Sequence, residues 1–165
     1  MPAQTSRLLV SACLLGEPVR YDGRGKALEN TGLNALLNQE RVIAFCPEVA
    51  GGLGIPRDAA EIQAGDGYAV LDSTGKVKTV KGDDVTEPFL KGARQALTLC
   101  QQHQIEVAIL TELSPSCGSN QIYDGSFSRS LNQGVGVTTA LLRQHGISVF
   151  NQYQISDAID LLNNL

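Results

Sequence analysis

The chain has 165 residues, 42% of them apolar, a span that suits one compact domain. A formal net charge of −4 excludes the electrostatic footprint of a protein that wraps nucleic acid or clings to an anionic membrane. Aromatic residues make up only 5% and Trp is absent, which leaves little material for base-stacking platforms.

The opening segment, MPAQTSRLLVSACLLGEPVR, has its apolar run broken at Gly16 and Glu17, too early for a signal peptide. No stretch approaches the ~20 apolar residues of a membrane span. A soluble, cytoplasmic protein is the expectation. Residues 7–12, RLLVSA, predict a first buried strand. A helix pattern covers 31–40, and RVIAFC at 41–46 predicts a second strand. At 66–81, Ser73-Thr74-Gly75 separates two alternating segments and predicts an edge β-hairpin. A long helix is predicted over about 84–103, with Val85, Phe89, Ala93, Ala96, Leu97 and Cys100 at helical spacing and Asp83 or Asp84 at its cap. A strand at 106–111, a helix at 137–145, a strand at 147–150 and a helix at 156–164 complete the pattern. His103 and His145 fall near helix ends, where a cation satisfies the last carbonyls. Alternating strands and helices predict an α/β fold, three-layered and Rossmann-like, with a mostly parallel sheet and a small edge hairpin. Without repeats, low-complexity tracts or a long linker, residues 1–165 read as a single domain.

Four cysteines in a chain without an export signal are expected to stay reduced, which points to metal binding or catalysis. Cys13, Cys46 and Cys117 each follow a predicted strand. In an open α/β sheet, ligands bind in the crevice beyond the carboxyl ends of the strands, so three distant thiolates can meet there. Their surroundings, SACLLG, CPEVAGG and SPSCGS, are rich in turn formers and hydroxyls. Such a trio suits an iron–sulfur cluster or zinc, the alternative being inert buried thiols. Cys100, inside the helix stripe, reads as a core residue. Cys13 with Arg20 in CLLGEPVR also suggests a phosphatase loop, but the spacing is one residue too long and no Ser or Thr follows Arg20. Glu48, two residues beyond Cys46, is the candidate acid/base group, unless it pairs with Arg57. Ser114 and Ser116 flank Pro115 and could donate to a developing oxyanion or simply cap their loop. Gly51, Gly52 and Gly54 form no GxGxxG, so a dinucleotide site is not expected. Arg20, Arg57 and Lys91 are candidate anion contacts, with surface solvation the competing reading.

SACLLGEPVRYDG, CPEVAGGLGIPRDAAEI, GDDVTEPFLKGA and SPSCGSNQIYDGSFS resemble the bacterial DUF523 family, which includes the thiouracil desulfidases, over about residues 7–150. The resemblance implies a [4Fe–4S] cluster held by Cys13, Cys46 and Cys117, with one iron left open. It implies that this iron takes the sulfur of a thiolated nucleobase, nucleoside or nucleotide, with Glu48 and Ser114 catalytic and Ser11, Ser116 and Asp22 contacting substrate. The implied reaction is non-redox, from thiouracil to uracil plus hydrogen sulfide. One departure is visible: many relatives carry Lys where this chain has Thr111, between Leu110 and Glu112. Two rivals are a non-catalytic iron–sulfur or sulfide-sensing module and a zinc hydrolase using the same three thiolates.

Overall fold

The computed structural model describes residues 6–25 and 27–165. After β1 (Leu8–Ser11) the chain makes a 3₁₀ turn (Ala12–Leu15), then runs through α1 (Thr31–Asn38), β2 (Val42–Phe45) and the short α2 (Pro47–Ala50). Next come β3 (Ala60–Gln63), α3 (Gly67–Leu71), β4 (Lys76–Thr79) and the long α4 (Thr86–Gln102). The remainder is β5 (Val107–Ile109), β6 (Gln121–Tyr123), β7 (Leu131–Gln133), α5 (Val137–Gln144), β8 (Ser148–Phe150) and α6 (Ile155–Asn163).

The main sheet is fully parallel, in the order β2-β1-β5-β8. Side chains alternate across a strand, so its apolar runs feed two cores. Leu8, Val10, Val107 and Ile109 pack with Leu33 and Leu36 of α1 and Ile155, Ala158 and Leu162 of α6. On the opposite face Leu9, Ala108 and Leu110 meet Ala96 and Cys100 of α4 and Leu142 of α5. This is the three-layer α/β arrangement read from the sequence. A third cluster, Ile62, Val70, Val77, Phe89, Ala93, Ile122 and Val137, fastens the smaller sheets to α4 and α5. Among the described residues no helix is long and apolar enough to cross a membrane.

A small antiparallel ribbon is present, and its second strand, β4, lies within the expected 66–81, but its first strand does not. It pairs β3 with β4, and the segment expected as the hairpin's first arm is the helix α3. Asp66 accepts from the Tyr68 N–H at 3.1 Å and so starts that helix. A second ribbon, β6 with β7, was not anticipated. The helix ends follow sequence chemistry. Asn30 caps α1 by accepting from Leu33 N–H at 3.0 Å, and Asp84 accepts from Thr86 N–H at 2.9 Å ahead of α4. His103 and His145 are the residues that terminate α4 and α5.

The contact of α2 with α4 matters most for the site, because α2 carries Glu48. It depends on two glycines: a Cβ on Gly92 would collide with the Pro47 carbonyl, and one on Gly51 with the Pro88 carbonyl. Backbone cannot yield as a flexible side chain can, so Gly92→Ala should cost about 1–3 kcal/mol of stability. Urea titration measures this, and an unchanged midpoint would contradict the close packing described.

Candidate active site

Parallel pairing leaves the carboxyl ends of β1, β2 and β5 side by side, with Ser11 opposite Phe45 and Val10 opposite Ile109. Beyond them lies a cavity of about 390 Å³, lined also by β3 and by the β6–β7 loop. Cys13, Cys46 and Cys117 all line it. Cys13 sits in the 3₁₀ turn, buried above Leu14, and its carbonyl accepts from Gly16 N–H at 3.1 Å as the chain reverses. Gly16 has φ +92°, a conformation that favours glycine. Cys46 immediately follows β2 and is the N-terminal cap residue of α2.

Cys117 needs more support, since its loop leaves β5 several residues earlier. The loop's carbonyls dock onto the first turn of α5: Val137 N–H donates to Pro115 O at 2.8 Å and Thr138 N–H to Ser116 O at 2.8 Å. Thr139 Oγ1 donates to Cys117 O at 2.9 Å. Glu112 secures the other side, accepting from the N–H groups of Ser119 (2.8 Å), Asn120 (3.1 Å) and Gln121 (3.3 Å) and from Asn151 Nδ2 (2.7 Å). Burial alone would raise the Glu112 carboxyl. The backbone donors, Asn120 first, more than offset this and hold it below its ordinary value.

Glu48 is the centre of a polar network. Its Oε1 pairs with Arg57 Nε at 3.2 Å, while Oε2 accepts from Ser116 Oγ at 3.0 Å and from Ser114 Oγ at 3.3 Å. Ser114 Oγ is itself fixed, accepting from Ser116 N–H at 3.1 Å and Cys117 N–H at 3.2 Å. Ser116 Oγ also lies 3.4 Å from Cys117 Sγ. Arg57 is anchored by donating Nη2 to Val19 O at 2.9 Å and Nη1 to Gly54 O at 3.0 Å. It is therefore a structural partner of Glu48 rather than a free anion contact.

The thiols feel one another. Burial pushes Cys117 far above the ordinary thiol value, the Ser116 hydroxyl partly opposes this, and the charges of Cys46, Glu48 and Cys13 add to the rise. Cys46 is raised by burial and by Glu48, with the Val49 N–H and Arg57 pulling the other way. Cys100, in the core away from the cavity, is pushed up to about 11 by burial and is an inert thiol. Among the described residues no three His, Cys, Asp or Glu side chains stand close enough to hold one metal ion. A lone zinc needs thiolates about 3.8 Å apart, given Zn–S bonds of about 2.3 Å. A cluster brings a separate iron to each thiolate and serves a wider trio, so three thiols lining one cavity suit an iron–sulfur cluster.

Of the other residues singled out from sequence, Ser11 lines the cavity but is only 2% exposed, its Oγ accepting from Thr111 N–H at 2.9 Å. Ser11 thus ties β1 to the position where the chain departs from its relatives. Asp22 does not line the cavity; it is exposed and accepts from Arg24 N–H at 3.0 Å in a local turn. Arg20 lines the cavity and Lys91 does not. The phosphatase reading lacks its helix: among the described residues the chain after Cys13 makes only the 3₁₀ turn and enters no α-helix before Thr31, so no helix N-terminus follows to receive a phosphate. Sequence reasoning missed Glu61, Glu112, Tyr123, Phe127 and Arg129, all of which line the cavity. The legible signal for Glu112 was a carboxylate entering a loop of small residues with many N–H groups to satisfy.

Thiols gathered beyond the ends of a parallel sheet, around a cavity sized for a small molecule, define an α/β enzyme of small-molecule chemistry. The chain belongs to the 2-thiouracil desulfurase family, which it matches over residues 8–154. It is 41% identical over 152 residues to protein YbbK of Bacillus subtilis (strain 168), covering 92% of this chain and 99% of that one. Among solved structures it resembles the [4Fe–4S]-dependent thiouracil desulfidase TudS, with 47% identity, a TM-score of 0.89, and 97% of this chain and 99% of that chain covered.

The role of Glu112 carries a pH signature. Its carboxyl is held low in the folded state, so its contribution is complete above the unfolded value near 4.5 and fades as pH falls below it. Glu112→Gln should cost about 1–3 kcal/mol at pH 7, with the gap from wild type narrowing below pH 4.5. Urea midpoints measured across pH 3–7 check this.

Proposed function

We propose that this chain is an iron–sulfur-dependent desulfidase that converts thiolated pyrimidines to their oxo forms, with thiouracil yielding uracil and hydrogen sulfide. The observation that carries the reading is the opening of Cys13, Cys46 and Cys117 into the same cavity as the Glu48–Ser114–Ser116 network, in a member of the 2-thiouracil desulfurase family. Those three cysteines would hold a [4Fe–4S] cluster with one iron left without a protein ligand. When bound, the cluster supplies a Lewis acid for the thiocarbonyl sulfur. An open ligand set serves that purpose for the reason an open zinc does in hydrolases: a closed site admits no substrate.

Glu48 is positioned to take the proton of the water that attacks the thiocarbonyl carbon. Arg57 occupies Oε1, so proton transfer falls to Oε2, the oxygen facing Ser114 and Ser116. Once Oε2 is protonated it no longer needs both serine hydroxyls. Ser114, held by the Ser116 and Cys117 N–H groups, can then donate to the oxygen replacing sulfur. The reaction balances without an electron donor: water supplies the oxygen of uracil and two protons leave with sulfide. Ser11 acts by holding Thr111 at the cavity wall, and Ser116 acts beside Glu48, whereas Asp22 is left to its local turn. Residues 1–165 act as one domain, and a cluster with three cysteine ligands suits a reducing cytoplasm.

Anaerobic reconstitution with iron and sulfide, followed by 2-thiouracil, should show loss of thiocarbonyl absorbance with one sulfide released per uracil formed. A brown protein that turns over no thiolated pyrimidine would overturn the reading in favour of a sulfide-sensing module. Glu48→Gln should retain the cluster and lower kcat by about 10²–10⁴-fold, and unchanged turnover would remove Glu48 from the mechanism. Serine at Cys13, Cys46 or Cys117 should abolish cluster and activity together, while Cys100→Ser should spare both.

A further inference from the structure

Glu61 is a buried carboxylate that the proposed reaction does not use. It lies on β3, is 8% exposed, and lines the cavity that holds Cys13, Cys46 and Cys117. Both backbone donors of the β6–β7 loop that reach it go to one oxygen: Gly125 N–H at 2.9 Å and Phe127 N–H at 3.2 Å, each to Oε1. The other oxygen, Oε2, takes no hydrogen bond among the described residues, and Glu61 enters no ion pair there, even with Lys78 opposite it in the β3–β4 register. Oε2 is not among the fully buried polar atoms left without a partner, so it is accessible, and at the wall of the cavity it is open to the donor of a ligand.

We infer that Glu61 is a specificity-determining residue that accepts the N3–H of a uracil-type ring. This rests on the desulfidase reading for the substrate class. A thiolated uracil offers N–H donors at N1 and N3, and only the N3–H survives when N1 carries a sugar. An acceptor fixed at the cavity wall therefore recognises free base, nucleoside and nucleotide alike. It also opposes cytosine-type rings, whose unprotonated N3 would bring one acceptor against another. Sites built to bond a substrate N–H discriminate strongly against analogues that lack it, because the site's own polar group is then left unpaired.

The anchoring makes the residue invertible. In Glu61→Gln the amide oxygen must stay on the Gly125 and Phe127 N–H groups, since only an acceptor satisfies them. The amide NH₂ is then turned to the cavity, and an acceptor for the ring becomes a donor. A residue of merely structural value would not produce such a swap.

The test uses the cluster-loaded protein and calorimetric binding of uracil, 3-methyluracil and cytosine, beside turnover of 2-thiouracil in the same preparation. Wild type should bind uracil about 100-fold more tightly than 3-methyluracil or cytosine. Glu61→Gln should shift the uracil-to-cytosine ratio by at least about tenfold towards cytosine. Wild type that binds uracil and 3-methyluracil equally, or binds neither, overturns the inference without recourse to the variant, as does an unchanged ratio in a folded variant. Turnover of 2-thiouracil with no N3 preference defeats the inference alone. An N3 preference without turnover defeats the desulfidase reading alone.

Discussion

The parallel register that sets Ser11 beside Phe45 is the constraint on which the rest of the site depends. Because β1 and β2 end level, Cys13 in the 3₁₀ turn and Cys46 at the cap of α2 leave neighbouring strands at the same edge of the sheet. The crevice beyond those carboxyl ends is where ligands bind in an open α/β sheet. A one-residue slip would turn the apolar face of β2 to the wrong core. The buried Leu8, Leu9 and Val10 secure the register by committing each face of β1 to a different layer of helices.

The third thiol lacks that advantage and is held by polar work instead. Cys117 is 3% exposed on a loop whose carbonyls are taken by the first turn of α5 and whose N–H groups are gathered by Glu112. The serines of the same loop are fixed at once, so Cys117 and the hydroxyls that meet Glu48 belong to one hydrogen-bonded loop. Its coupling to α2 runs through Glu48 and Arg57, and the glycine contact between α2 and α4 sets the distance at which the two pieces meet. An enzyme that must receive both a cluster and a substrate gains from a site assembled before either arrives.

The layered sheet was legible because apolar strand runs alternate with helix stripes, and the helix bounds differ from expectation by only a few residues. The ribbons were legible only in part: a small hairpin was expected and β4 falls within it, but neither its partner β3 nor the β6–β7 pair was. In β3 the residue at the strand's centre is Glu61, a charge that buries only because a loop 64 residues away supplies N–H donors. The helix α3 has five residues, too few to display a helical period, so its segment resembled the arm of a hairpin. The β6 and β7 strands have three residues each and carry Gln121, Asn132 and Gln133, with no alternation to see. Within the site, the cysteines could be found because each follows a strand run, and Glu48 because it is adjacent to one. Glu61 acts on backbone groups of a loop distant in sequence, and no local pattern marks such a task. The pairing of Glu48 with Arg57, open from sequence, is realised, yet it leaves Oε2 to the serines.

The central claim is that three cysteines hold a four-iron cluster and leave one iron to the substrate. Mössbauer spectroscopy of protein reconstituted with ⁵⁷Fe, before and after 2-thiouracil, tests it most directly. The account predicts one iron site distinct from the other three, whose parameters alone shift when the thiolated base is added. Four equivalent irons that ignore the base, or a protein that takes up no iron, would contradict it.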